Sequence, residues 1–436
     1  MRSPHFEALL TPYLNLSRKP RLAVAVSGGA DSMGLVLLAA ELAKAKRLQL
    51  VAITVDHGLR KEATKEAAKV GEWLKAHGIK HQTLTYKGLA PESNIQEFAR
   101  ELRYRLMAEY CKANKIANLL VAHTMEDQVE TLLMRLERGS GIDGLSAIPA
   151  VQEMAGITLI RPLLSVPKAS LQDYLKSRKQ KWISDPSNTN TQFARVRVRN
   201  LMNEHADALF TKRMFDTAVN AGRARHALEV QVNALIAACT NLNPAGFITI
   251  DSNLLLKAPE EIALRLLSAA LMCISGSEEK PRFEKLQRLY AGLHQSTVAL
   301  TLHGCTLLKG GNTITVLREP ARAASMKETL AAGAEVVWDG RFTLSLKGRT
   351  LTSLTVKAPT ANDLAALRKK HKSSLPREVL LSAPALYRGD ALVALPLIGY
   401  FETPVLRRAV KVAHTPRSAL VCTPFRYCVH AANTLV

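Results

Sequence analysis

The chain is poor in cysteine and shows no long apolar run. Six cysteines in 436 residues are too few and too scattered for a disulfide framework, and no Cys-x-x-Cys pair indicates a zinc or redox site. We expect most of them to be buried as small apolar side chains. No apolar run of about 20 residues and no N-terminal signal segment is present, so we expect a cytoplasmic protein without a membrane partner.

Acidic and aromatic residues are also scarce. The 37 Asp and Glu stand against 59 Lys and Arg, which gives a net charge of +22 and an isoelectric point near 9.9. This excess indicates a polyanionic partner, with nucleic acid as the first candidate. Aromatic residues make up only 5%, which argues against broad stacking surfaces and favours recognition of a folded RNA by shape.

The first part of the chain alternates between short β-branched runs and longer helical patterns, as is typical of βαβ units. The runs predict buried strands at 22–26, 50–55, 80–86 and 117–122, and helices near 32–46, 62–77, 94–113 and 124–138. We therefore predict an α/β fold with a doubly wound parallel sheet, whose ligand binds beyond the carboxyl ends of the strands.

The pattern changes after residue 205, and the length of the chain indicates two or three domains. Residues 206–320 are rich in Ala and Leu, which predicts an all-α middle domain. Alternating stretches at 313–317 and 342–346 flank a small-residue linker, 321–333. We expect a small mixed α/β domain over 335–436.

The predicted first strand is followed by Ser27-Gly28-Gly29-Ala30-Asp31-Ser32 and then a helix. Two glycines allow the backbone to approach a phosphate closely, and a helix N-terminus offers unpaired N–H groups. The loop lacks the lysine of a Walker loop and the third glycine of a dinucleotide fingerprint. On these residues alone, a phosphate site and a plain strand-to-helix turn capped by Asp or Ser both remain open.

The Ser-Gly-Gly-x-Asp-Ser sequence resembles the loop of the N-type ATP pyrophosphatases, or PP-loop enzymes, which adenylate a carbonyl oxygen and release pyrophosphate. The resemblance implies an adenine nucleotide alpha hydrolase-like fold and ATP as a substrate. It also implies that the loop amides, with the hydroxyls of Ser27 and Ser32, hold the pyrophosphate. Asp31 would help to place Mg²⁺.

Further blocks resemble one subgroup, the tRNA(Ile)-lysidine synthetases. They are Asp56-His57-Gly58-Leu59-Arg60, the helix from Asn94 to Tyr104, the segment from Ala122 to Thr131 with Arg138-Gly139-Ser140-Gly141, and Asp185-Pro186-Ser187-Asn188. With the loop they form five blocks in the family's order. A lone histidine is often a cap or core residue, but this block implies that Asp56 and His57 belong to the ATP site. Two positions depart from the family pattern, since Glu126 and Val196 replace Asp and Asn.

The predicted helix 124–138 carries an acidic face. His123, Asp127 and Glu130 follow i, i+4, i+7 spacing, and the opposite face should point to the core with Leu132, Leu133 and Leu136. Acidic faces are usually solvated, but this one directly follows the fourth strand. In the light of the resemblance, our hypothesis is that Asp127 and Glu130 bind the ammonium groups of free L-lysine. His123 would orient substrate or phosphate.

Arginines are expected near the AMP that leaves during the reaction. We assign this role to Arg100 and Arg195, and assign Arg197 and Arg199 to the tRNA backbone. Residues 161–230 hold 13 basic and 6 acidic side chains, and residues 335–436 hold 15 and 6. The excess is therefore concentrated outside the predicted sheet, where it would contact phosphates.

The resemblance implies a ligase that joins L-lysine to C2 of the wobble cytidine of an isoleucine tRNA with a CAU anticodon. The reaction would pass through an adenylated cytidine and release AMP and pyrophosphate. In this scheme 1–205 is catalytic, 206–320 binds tRNA or substrate, and 335–436 binds tRNA.

Two alternatives remain open. One is a tRNA sulfur-transfer enzyme of the same superfamily, which usually needs paired cysteines that are missing near the site. The other is a non-catalytic RNA-binding protein with a relic ATP site, against which Asp31 and the acid pair argue. The sequence also leaves the oligomeric state open, including a homodimer.

Overall fold

The computed structural model describes residues 3–58, 61–86, 88, 95–183, 208–295, 297–348, 352–368 and 371–428. The chain divides into two compact units. One unit contains Met1–Ala227 together with Pro424–Val436, and the other contains Leu228–Thr423. Among the described residues, no helix has both the length and the apolar character needed to cross a bilayer.

The first unit is built on a six-stranded sheet with the order β3-β2-β1-β4-β6-β5. Its strands are β1 Leu22–Ala25, β2 Leu50–Asp56, β3 His81–Thr85, β4 Asn118–Leu120, β5 Val151–Met154 and β6 Ile157–Ile160. All neighbouring pairs are parallel except β5 with β6. The order reverses between β1 and β4, so the loops that follow these two strands line the crevice where doubly wound sheets bind ligands.

Helices cover both faces of this sheet. They are α1 Ser3–Leu10, α2 Ala30–Lys46, α3 Lys61–Ala76, α4 Ile95–Ala113, α5 Met125–Glu137, α6 Ile142–Leu145 and α7 Lys168–Ser177. Leu22 and Val24 of β1 pack with α1, α2, α3 and α7, whereas Ala23 between them packs with α4. Strand residues alternate between two apolar cores, as expected for a strand covered on both sides. The predicted parallel sheet is confirmed, and the predicted helices match within two residues.

The end of the chain returns to this unit. Ala150 donates its N–H to the carbonyl of Arg426 at 2.7 Å, next to a bridge between Val151 and Arg426. Phe425 lies under the Arg225 guanidinium at 4.4 Å from the ring centroid. Arg225 belongs to α8, Ala208–Cys239.

Of the six cysteines only Cys422 is exposed, which confirms the expectation that most of them are buried.

The second unit begins with a five-stranded antiparallel sheet, β7-β8-β11-β10-β9, packed against helices. Its elements are β7 Thr240–Asn243, β8 Phe247–Asp251, α9 Ser252–Lys257, α10 Glu260–Ser275, α11 Phe283–Gly292, β9 Thr297–Leu302, β10 Cys305–Gly310 and β11 Thr313–Arg318. The expectation of an all-α middle region is therefore corrected, since this segment is mixed. The short alternation in Phe247–Asp251 is a strand signal that the Ala- and Leu-rich neighbours obscured.

Two smaller antiparallel sheets, β12-β15-β16-β17-β18 and β13-β14-β19, complete the second unit. Their elements are α12 Pro320–Ala324, β12 Lys327–Leu330, β13 Glu335–Trp338, β14 Phe342–Leu346, β15 Leu354–Lys357, α13 Ala361–Arg368, α14 Arg377–Leu381, β16 Ala385–Arg388, β17 Ala391–Leu395, β18 Tyr400–Phe401, α15 Pro404–Ala409 and β19 Val410–His414. Residues 321–333 are thus more than a linker, because they contain the end of α12 and all of β12. The strands predicted at 313–317 and 342–346 are confirmed.

A buried ionic cluster lies in the second unit. The Asp339 carboxylate accepts hydrogen bonds from Arg318 Nη2 at 2.7 Å and from Arg341 Nε at 2.8 Å. Arg341 also donates to the Ser382 carbonyl at 2.7 Å. The side chains of Asp339 and Arg341 are each 1% exposed. Burial lowers the pKa of the Arg341 guanidinium, and the Asp339 carboxylate opposes that shift. One carboxylate therefore compensates two buried positive charges.

His414 lies against this cluster, and its pKa predicts that the folded protein loses stability in acid. Burial, together with the positive charge of Arg341, lowers the pKa of His414 to about 4. Below pH 6.5 the unfolded chain gains a proton that the folded chain does not accept until about pH 4, so stability falls across that interval. We expect a loss of about 2 to 3 kcal/mol there, measured by urea unfolding. His414→Phe should reduce the dependence of the unfolding free energy on pH, whereas His294→Phe, at an exposed histidine, should leave that dependence unchanged. An equal dependence on pH in both variants would contradict the assignment.

Candidate active site

The loop after β1 is shaped by one glycine and two serines. Gly28 has φ of +88°, and a Cβ there would lie 2.7 Å from Ile183 Cδ1 and 2.8 Å from Val70 Cγ2. Buried Ser32 accepts from the Ser27 N–H at 3.2 Å and donates to the Gly29 carbonyl at 3.0 Å. Helix α2 has no side-chain cap, so the N–H groups of its first turn can receive an anion.

The loop geometry predicts that Gly28→Ala impairs ATP binding. The substitution adds left-handed strain and two close contacts, so the loop must shift. Gly78→Ala is the matched control, because Gly78 has φ of +67° and nothing within 4 Å of its would-be Cβ. We expect ATP affinity, measured by equilibrium dialysis, to fall at least about tenfold for Gly28→Ala only. Equal ATP affinities of Gly28→Ala and Gly78→Ala would show that the two close contacts at position 28 do not affect ATP binding.

Asp56 is the last residue of β2, and His57 follows it. Asp56 is 3% exposed, and its two oxygens accept from the Gly58 N–H at 3.0 Å and from Thr64 Oγ1 at 2.7 Å. Asp56 thus holds the turn that begins after β2 and ties it to α3. His57 is half-buried in that turn. The predicted ATP role of both residues remains a prediction, and the observed contacts of Asp56 are those of a turn-forming residue.

Asp127 stands in the first turn of α5. Its Oδ2 accepts from the N–H of Thr124 at 2.8 Å and from Thr124 Oγ1 at 3.0 Å, which closes a capping box. Its Oδ1 lies 3.6 Å from Lys168 Nζ, and the same ammonium lies 4.0 Å from Asp31 Oδ2. Burial by itself raises the pKa of Asp127, but Lys168, the hydrogen bonds from Thr124, and His123 outweigh it and lower the pKa. Asp127 is therefore ionised at neutral pH and lies next to the loop.

The other residues of α5 differ in part from the expected amphipathic pattern. Glu130 is 3% exposed, so this acidic face is not solvated. Leu132 is buried as predicted, but Leu136 is 56% exposed and does not reach the core. Leu136 lies in the last turn of α5. Glu126, at the position where the family has Asp, accepts the Lys168 N–H with both carboxylate oxygens at 3.0 Å.

Arg100 is exposed on α4, and its guanidinium lies 5.3 Å from the centroid of the Tyr104 ring. Behind it, Arg161 is 4% exposed and donates to the Pro149 carbonyl at 2.8 Å and to Gln152 Oε1 at 2.9 Å. Burial lowers the pKa of Arg161 to about 10, with Tyr104 opposing and Arg100 reinforcing the shift. Arg161 therefore belongs with Arg100 and Tyr104 in one polar group.

Comparison with known proteins identifies the family. Residues 3–206 match the PP-loop domain. The tRNA(Ile)-lysidine synthase of Wolbachia pipientis wMel is 36% identical, with 87% of this chain and 89% of that protein covered. The tRNA(Ile)-lysidine synthase of Ruegeria pomeroyi is 34% identical, with the same shares covered. The chain belongs to the tRNA(Ile)-lysidine synthase family. Both the predicted family and the predicted PP-loop fold are confirmed.

A solved tRNA thiolase from Methanococcus maripaludis also resembles this chain, with a TM-score of 0.44 and 16% identity over 51% of this chain and 78% of that one. A similarity of this size says nothing about the reaction.

Part of the family pattern lies outside the described residues. Arg195, Arg197 and Arg199 belong to the segment 184–207, as does Asp185-Pro186-Ser187-Asn188. The assignment of Arg195 to the departing AMP, and of Arg197 and Arg199 to tRNA, therefore remains a prediction.

Lys168 and Arg161 lie beside predicted site residues, although their sequence context did not single them out. The Lys168 ammonium lies within 4.0 Å of Asp31 and Asp127, and Arg161 is close enough to Arg100 for their like charges to repel. Lys168 follows Pro167 at a helix start, and Arg161 follows β6, so both stand just beyond regular elements near the carboxyl side of the sheet. This position at the carboxyl side of the sheet is the sequence signal by which both residues could have been found.

The loop offers one carboxylate for a magnesium ion that would be bound together with the phosphates of ATP. Within the described part of the chain, no group of three or more His, Cys, Asp or Glu side chains is arranged to hold a metal. Mg²⁺ is commonly bound by one or two carboxylates together with substrate phosphates. Asp31, in the first turn of α2, supplies such a carboxylate beside the loop that would hold phosphate.

Proposed function

We propose that the protein ligates L-lysine to C2 of the wobble cytidine of an isoleucine tRNA with a CAU anticodon. The relatives that share most of its length are named tRNA(Ile)-lysidine synthase, which supports an isoleucine tRNA as substrate. The strongest support comes from Lys168. Its ammonium lies within 4.0 Å of both Asp31 and Asp127. A bound nucleotide and a bound amine can therefore be neighbours.

The reaction has two steps on this account. The cytidine O2 attacks the α-phosphorus of ATP, and pyrophosphate leaves into the loop amides and the hydroxyls of Ser27 and Ser32. One amine of lysine, neutral after releasing a proton to water, then attacks C2, the C–O bond to AMP breaks, and the nitrogen gives a further proton to water. Asp127 and Glu130 bind the two ammonium groups of lysine before one of them releases its proton, and Arg100 stabilises charge on the leaving AMP. Asp31, together with the phosphates, would hold Mg²⁺, which would supply charge neutralisation when bound.

The proposal is tested by incubating the protein with ATP, labelled lysine and an unmodified isoleucine tRNA transcript. We expect AMP to form and label to enter the RNA, with neither result when the wobble cytidine is replaced by uridine. In a parallel incubation with sulfide in place of lysine, entry of sulfur into the transcript, with no label entering from lysine, would favour a sulfur-transfer enzyme. Binding of the transcript without AMP formation would favour a non-catalytic RNA-binding protein.

We assign tRNA binding in part to 335–436, where exposed Arg407, Arg408 and Lys411 lie on α15 and β19. Changing these three residues to Gln should raise the apparent KM for tRNA about tenfold, and should reduce the log–log salt slope of binding by about 1 for each lost phosphate contact. KM for ATP should not change. The control removes the same charge from the first unit at three exposed lysines, Lys65, Lys75 and Lys80. Equal effects in both variants would mean that only net charge matters.

A further inference from the structure

The backbone of Lys168 is fixed, while its ammonium lies between two carboxylates. Both Glu126 oxygens accept the Lys168 N–H at 3.0 Å, and the Met125 N–H donates to the Val166 carbonyl at 3.1 Å. These bonds join the start of α5 to the start of α7. The side chain is 28% exposed. The ammonium can therefore move while the backbone of Lys168 stays in place.

The contacts of the ammonium with these two carboxylates are electrostatic and loose. Its distances of 3.6 Å to Asp127 and 4.0 Å to Asp31 exceed the 2.7 to 2.9 Å of a good charged hydrogen bond. Two carboxylates share this one positive charge. A partner with more negative charge, placed within reach of the same side chain, can therefore draw the ammonium away at modest cost.

The ammonium of Lys168 occupies the position that a substrate amine needs. Asp127 Oδ2 is taken by the two hydrogen bonds from Thr124, so Oδ1 is the oxygen that faces Lys168. A substrate ammonium at Oδ1 would lie close to the Lys168 ammonium. Two like charges about 4 Å apart near a protein surface repel by several kcal/mol. Lysine and the resident ammonium therefore compete for Asp127.

We propose that Lys168 makes lysine binding depend on ATP. Without nucleotide its ammonium occupies Asp127, and the phosphates of ATP in the 27–32 loop draw it away and open Asp127 to the substrate. The starting position supports this movement, because the ammonium already contacts Asp31 in the first turn of α2. By linkage, lysine then raises the affinity for ATP by the same factor. The inference rests on the proposed function, since it takes Asp127 as the lysine site.

The experiment measures binding of labelled lysine by equilibrium dialysis, with the unmodified transcript present throughout. Samples with and without Mg²⁺ and an α,β-methylene analogue of ATP are compared, so that no turnover occurs. For the wild-type protein the analogue should raise lysine affinity about 5- to 150-fold. Lys168→Met should bind lysine about equally well with and without the analogue, and more tightly than the wild type without it. Lys168→Arg should retain the wild-type dependence.

The matched control is Lys176→Met, on the same helix, where a 65% exposed lysine pairs with Asp173. It should behave as the wild type. A wild-type dependence in Lys168→Met, or weaker lysine binding in that variant under both conditions, would overturn the inference while leaving the lysine site intact. Absence of lysine binding by the wild type under both conditions would overturn the lysine site and the inference together. Melting temperatures of all variants separate these results from loss of folding.

Discussion

Asp127→Asn is expected to lose lysine incorporation while tRNA adenylation continues. The amide retains the size of the carboxylate and can still accept hydrogen bonds from Thr124, but it no longer attracts an ammonium. Loss of one partner of a partly buried charge pair costs about 2 to 5 kcal/mol, so kcat/KM for lysine should fall on the order of a hundredfold or more. Release of pyrophosphate from ATP in the presence of tRNA measures the step that should survive.

The control for this variant is Asp173→Asn, an exposed carboxylate on α7 that pairs with Lys176. It should incorporate lysine at the wild-type rate. Asp127 also caps α5, so its substitution should cost about 1 kcal/mol of stability, seen as a small decrease in melting temperature. Wild-type turnover of Asp127→Asn would refute the lysine site, and equal loss of adenylation and incorporation would assign Asp127 to the nucleotide instead.

Asp339→Asn is expected to destabilise the second unit strongly. The substitution leaves the guanidinium groups of Arg318 and Arg341 buried without a compensating charge. Removing one partner of such a group costs about 3 to 5 kcal/mol. Asn tolerates the left-handed backbone of this position, where φ is +52°, so backbone strain does not contribute to the loss. Urea unfolding followed by circular dichroism measures the difference.

Asp390→Asn provides the comparison, because Asp390 is an exposed carboxylate in the turn between β16 and β17. Its unfolding free energy should remain within about 0.5 kcal/mol of the wild type. If Asp339→Asn were as stable as this control, the cluster would be an ionic group without a net effect on folding.

The parallel sheet could be predicted from sequence because its signals are local. Apolar runs such as Leu50–Val55 are separated by helical patterns of ordinary length, and a strand buried on both faces shows no wet alternation. The loop 27–32 was located in the same way, since it begins two residues after the end of β1. The acidic helix was placed correctly because it follows β4.

The features of the fold and the site that the sequence did not predict depend on contacts between residues far apart in the chain. Lys168 meets Asp31 and Asp127 only because α7 packs beside α2 and α5, and no spacing in the chain encodes that meeting. The same is true of the pair between Arg318, the last residue of β11, and Asp339, which lies in the turn after β13. Leu136 was placed in the core by periodicity alone, but periodicity does not show where a core ends.

We propose that one enzyme couples ATP cleavage to the formation of a carbon–nitrogen bond at a single nucleotide. The most direct measurement digests the isoleucine tRNA transcript after reaction with ATP and lysine, and analyses its nucleosides by mass spectrometry alongside AMP. We expect the wobble cytidine to gain the mass of lysine less water, with one AMP formed for each lysine attached. AMP formation without this adduct, or an adduct at another nucleotide, would contradict it.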